Sequence, residues 1–70
     1  MSKGRDQVAK YIDIRRPNDN PMRRCILAGF ANLIDGELSA DRAKAMFAID
    51  DVKSILTKSD FKLWESLTRL

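Results

Sequence analysis

Past position 20, apolar side chains recur at intervals of three and four, the spacing that lines one face of a helix. Met22, Cys25, Ile26, Phe30, Leu33 and Ile34 form the first such stripe. Asn20 is a natural N-cap, Pro21 suits the first helical position and Gly36 supplies a left-handed stop, so a helix is expected over 21–35. Ser39 opens a second helix, expected over 39–57, with Asp41 favourable in its first turn. Ala45, Ala48, Ile49, Val52, Ile55 and Leu56 make one face of it, widened by Met46 and Phe47. A third helix, over 59–70, starts after Thr57 or Ser59 with Asp60 near its start, and carries Phe61, Trp64 and Leu67 on one side, with Leu63 and Leu70 extending it. Gly29 falls inside the first helix, where glycine costs about 1 kcal/mol relative to alanine. A close approach by a neighbouring helix is the expected reason.

Residues 8–16 fit two periods. Val8 and Ile12, four apart, suit a helix. Tyr11-Ile12-Asp13-Ile14-Arg15 also alternates strictly, and β-branched and aromatic residues favour a strand there. Arg16-Pro17 ends either element, because the residue before a proline is pushed out of the helical region. The preferred reading is a mainly α fold in which a short N-terminal strand precedes three helices. The alternative is an all-α domain with residues 5–16 helical.

Seventy residues make a single domain, divided into a basic arm or strand over 1–20 and a helical body over 21–70. So short a chain buries only about 60% of the surface its unfolded form exposes. With one cysteine and no histidine it has neither an internal disulfide nor a four-ligand zinc site to reinforce it. A partner subunit is the remaining support, so at least a homodimer is expected. Cys25, on the apolar stripe, is expected to be a buried structural thiol. Asp50-Asp51 point about 100° apart on a helix and suit a solvated face. Without histidine or a phosphate-binding glycine loop, no enzyme, cofactor, metal site or small-molecule substrate is expected. No apolar run approaches a membrane span and no leader pattern is visible, so a cytoplasmic location without membrane contact is expected.

Charge changes the picture more than composition does. Residues 1–24 carry seven basic and three acidic side chains, residues 25–70 six and seven, so the net charge of +3 arises in the first third. A basic segment on a near-neutral body is a common footprint of nucleic-acid or acidic-protein binding, or a solvated surface.

The order of elements then carries a resemblance. The strand Ile12-Asp13-Ile14-Arg15-Arg16-Pro17, a helix closed by Gly36 and a second helix opened by Ser39 resemble the ribbon-helix-helix repressors of the Arc and MetJ type, over residues 10–56. The resemblance implies a dimeric transcriptional regulator whose paired strands enter the major groove of double-stranded DNA. It places Ile12 and Ile14 in the dimer core and Tyr11, Asp13 and Arg15 against base edges. Ser39, at the start of the second helix, would clamp a phosphate, and Arg16, Arg23 and Arg24 would add backbone contacts. The alternative is a small helical protein-binding module, such as an inhibitor, antirepressor or adaptor. In that case the apolar helix faces, or Phe61 with Trp64, dock on a partner protein, and Phe30 joins these two in an interface.

Overall fold

A computed structural model describes residues 2–12 and 20–69. Five helices follow one another: α1 (Lys3–Ile12), α2 (Pro21–Ile34), α3 (Ala40–Met46), α4 (Ile49–Ile55) and α5 (Lys58–Thr68). The described residues contain no strand.

α1 replaces the expected N-terminal strand over residues 8–12, and with it the strand–three-helix fold and its ribbon-helix-helix dimer. Gly4, Val8 and Tyr11, spaced by four and three, form a buried stripe on α1 that packs on α2. Gly4 sets how near the two helices come. A Cβ on it would lie 2.8 Å from the Ala31 Cα and nearer still to the Ala31 carbonyl, so only glycine fits. The start of α1 is also fastened to the end of α2. The Gly4 amide donates to Asp35 Oδ1 at 2.8 Å, the Ser2 hydroxyl donates to Asp35 Oδ2, and Ser2 Oγ accepts from the Arg5 amide.

α2 begins and ends through local chemistry. Asn20 accepts from the Met22 amide at 2.9 Å, Pro21 leads the first turn and Gly36 turns the chain out at φ 77°. Ser39 caps α3 and Thr57 caps α5 in the same way, accepting from the amides of Arg42 and Asp60.

The helix expected over 39–57 is instead two, α3 and α4, parted at Phe47 and Ala48, which are both extended. Neither glycine nor proline breaks it. Ala43 and Phe47 pack inward four residues apart, and so do Val52 and Leu56. Val52 comes five positions after Phe47, which on an unbroken helix would place it about 140° round from Phe47 and put the two pairs on opposite faces. Breaking the helix lets both pairs reach one core. Ala45, Ala48 and Ile49, expected on the buried face, are exposed as a result.

That core centres on Trp64, with the Phe30 ring 6.1 Å away and Phe47 meeting it edge-on at 5.7 Å. Ile26, Phe30, Val52 and Trp64 are fully enclosed by this one chain. The aromatic cluster needs no second subunit to cover it.

Gly4→Ala should lower stability by about 2 kcal/mol, because its methyl group meets backbone that cannot yield. At an ordinary helical position the same change would stabilise by about 1 kcal/mol. Urea unfolding of the two proteins reads the sign directly, and a stabilised variant would contradict the close α1–α2 crossing.

Candidate functional site

Of the residues nominated for DNA contact, Tyr11, Arg23, Arg24 and Ser39 are among those described, and the first two are buried. Tyr11 is buried: its hydroxyl donates to Asp60 Oδ2 at 2.5 Å and accepts from the Thr57 amide at 3.0 Å. Arg23 is buried as well, and its Nη2 donates to the Tyr11 carbonyl at 2.8 Å, placing a cation on the C-terminal end of α1. Both were expected to face DNA, and both instead hold α1 in place. Arg24 is exposed on α2, and Ser39 is exposed with its hydroxyl committed to capping α3. Asp13, Ile14, Arg15 and Arg16 lie outside the described residues, and Ile12 is the last residue of α1. Of the apolar interface candidates, Phe30 and Trp64 lie inside the core, while Phe61 is half-buried against it.

The most concentrated electrostatics belong to Asp60, which is 2% exposed. Gln7 Nε2 donates to its Oδ1 at 2.7 Å, and Lys10 Nζ forms an ion pair with Oδ2 at 3.0 Å. Burial by itself would push the Asp60 carboxyl up. The hydrogen bonds from Tyr11, Lys10 and Gln7, with the Lys10 charge, outweigh it and hold the group below its ordinary 3.8. Hydrogen bonding to Asp60 in turn raises Lys10 above its ordinary 10.5. At the other end of α1, the Ser2 hydroxyl and Gly4 amide hold Asp35 low. Both Asp60 oxygens are engaged by groups of α1, so the cluster acts as a clasp between α1 and α5.

The open feature lies between α2 and α3. Met22, Cys25, Ala28, Gly29, Asn32, Leu38, Met46 and Phe47 line a groove of about 460 Å³. Its floor depends on Gly29, whose missing side chain leaves room for the Phe47 ring; a Cβ there would be 2.6 Å from Phe47 Cε2. The approach expected at Gly29 is therefore made by an aromatic ring from the α3–α4 junction. Met22 and Met46 stand 45% and 59% exposed, so the lining is apolar and open to water. Cys25, expected to be buried, is exposed in the same lining. Position 25 sits about 100° round α2 from Ile26, which takes the core side. Sequence reasoning gave Met22 and Cys25 to the core because the stripe was read as one face. The buried arc of α2 runs from Gly29 through Ile26 and Leu27 to Ala31, further round the helix than the stripe read from the sequence, which leaves Cys25 beyond its edge.

The described residues contain no cluster of three or more metal-ligating side chains, and no helix among them is long and apolar enough to cross a membrane. The chain matches no protein-family model, no curated protein and no solved structure.

Tyr11→Phe deletes one donor to Asp60 and the acceptor of the Thr57 amide, and should cost about 2 kcal/mol in urea unfolding. The pH dependence follows from the lowered Asp60 value. Its contribution is complete above 3.8 and is lost as pH falls through the lower native value. Asp35 acts in the same direction, so Asp60→Asn should flatten the acid limb of the stability curve without abolishing it. An acid limb identical to that of the unmodified chain would remove Asp60 from the account.

Proposed function

We propose that the chain is a small protein-binding module that receives apolar side chains of a partner protein in the α2–α3 groove. The observation that carries this reading is two flexible methionines, Met22 and Met46, exposed on the lining of one concave apolar surface. Methionine adapts its shape to what it meets and is over-used at such surfaces. Apolar grooves rimmed by polar residues are typical docking sites. Ile49 adds a third large apolar side chain, 52% exposed, just beyond Phe47 in the chain. An exposed thiol with no second cysteine to pair with suits a reducing compartment, so the partner is sought in the cytoplasm.

The DNA-binding reading draws less support. Two of its proposed contacts, Tyr11 and Arg23, are committed inside the fold, and Arg24 and Ser39 remain at its surface.

A photo-crosslinking residue placed at Met46, with a control at Lys62 on exposed α5 surface, separates the readings in the native host. Position 46 should give a discrete protein adduct that position 62 does not, and Met22→Lys should abolish it. Thermal stability should stay within about 0.5 kcal/mol, as for other exposed substitutions. Equal labelling at both positions would defeat the proposal. So would retention of duplex DNA at low salt that is lost on Arg24→Ala but kept with Met22→Lys.

A further inference from the structure

We propose that the groove's partner is an amphipathic helix whose apolar face is flanked by carboxylates; this rests on the groove being a docking site. Length points to a helix. From Met22 to Asn32 the lining follows α2 for ten residues, or roughly 15 Å at 1.5 Å per residue. That span accepts about three turns of a partner helix, presenting apolar side chains at i, i+3 or i+4, and i+7.

Charge points to acid. Arg24 lies one helical turn before Ala28, and Arg42 one turn before Met46. Ala28 lines the groove from α2 and Met46 lines it from α3, so each of the two helices that wall the groove carries an arginine one turn from its lining. Both are exposed, and among the described residues neither takes part in an ion pair. Acidic residues are placed differently. Asp41 lies about 140° round α3 from Met46. Glu37 stands beside Leu38 at the Asn32 end, where its amide donates to the Asn32 carbonyl. Asp35 is engaged with Ser2 and Gly4. Each wall of the apolar groove thus carries an exposed arginine one turn from its lining, and a helix with Glu or Asp on both sides of a Leu, Met or Phe stripe complements them. Rim charges of this kind select among partners and set the salt dependence of binding.

Two synthetic helical peptides test this. They share one apolar face and differ only in flanking residues, glutamate in one and lysine in the other, and binding is read by fluorescence anisotropy. The glutamate peptide should bind about tenfold more tightly at low salt, and its advantage should shrink as salt rises. Arg24→Glu with Arg42→Glu should reverse the preference, and both positions are exposed enough to leave the fold intact. If both peptides bind equally and Met46→Lys abolishes both, the groove stands and the acidic partner falls. If neither peptide binds, the docking site itself falls. Binding to vesicles of an anionic phospholipid in preference to either peptide would also overturn the proposal.

Discussion

A carboxylate taken out of water must recover its lost hydration from fixed donors, or it costs the fold several kcal/mol. Asp60 recovers it from one edge of α1, where Gln7, Lys10 and Tyr11 all reach it. The same Tyr11 oxygen accepts the Thr57 amide, and Thr57 caps the helix that carries Asp60. The first and last helices are thus joined through Tyr11, whose loss would take a donor from Asp60 and the acceptor from the Thr57 amide. Arg23 closes the C-terminal end of α1 and Asp35 its N-terminal end. Held at both ends and along one side, residues 3–12 belong to the body of the domain.

A count of charges by segment does not register these contacts. Seven basic side chains in the first third look like a surface for an anionic partner. Lys10 is spent on Asp60, and Arg23 lies inside against a backbone carbonyl. Net charge by segment carries no information about pairing, and pairing decided the role of these two. The period of residues 8–12 was ambiguous for a related reason. Tyr11 and Ile12 fit either a helix or a strand locally. What settles the matter is a contact far along the chain, between the bare α-carbon of Gly4 and the backbone of Ala31. Glycine four residues before Val8 was visible, but its significance needed α2 in place.

Where the chemistry is local, the sequence was readable. Asn20, Pro21, Gly36, Ser39 and Thr57 act on amides or turns within a few residues, and each does what its side chain suggests. The break at Phe47 shows the limit. No breaker residue marks it, and only the five-residue offset between two inward pairs betrays it. That offset acquires meaning once both pairs must reach Trp64, a requirement set by the tertiary core.

The groove follows from the same break. Phe47 leaves the helix to lie over Gly29 and meet Trp64 edge-on, which commits its backbone to an extended conformation. Met46, its immediate neighbour, is then turned outward and left 59% exposed. Across from it, α2 has already spent Ile26, Phe30 and Leu33 on the core, so Met22, Cys25 and Ala28 are left facing the groove. The apolar opening is therefore a by-product of how the core closes, and its floor is as fixed as the ring that forms it. A surface held in shape by the core loses little conformational freedom when it binds, leaving only the methionine side chains to adjust. Rigid floor and pliable rim together suit a site that selects its partner by charge at the edges and accepts variation in the apolar side chains between them.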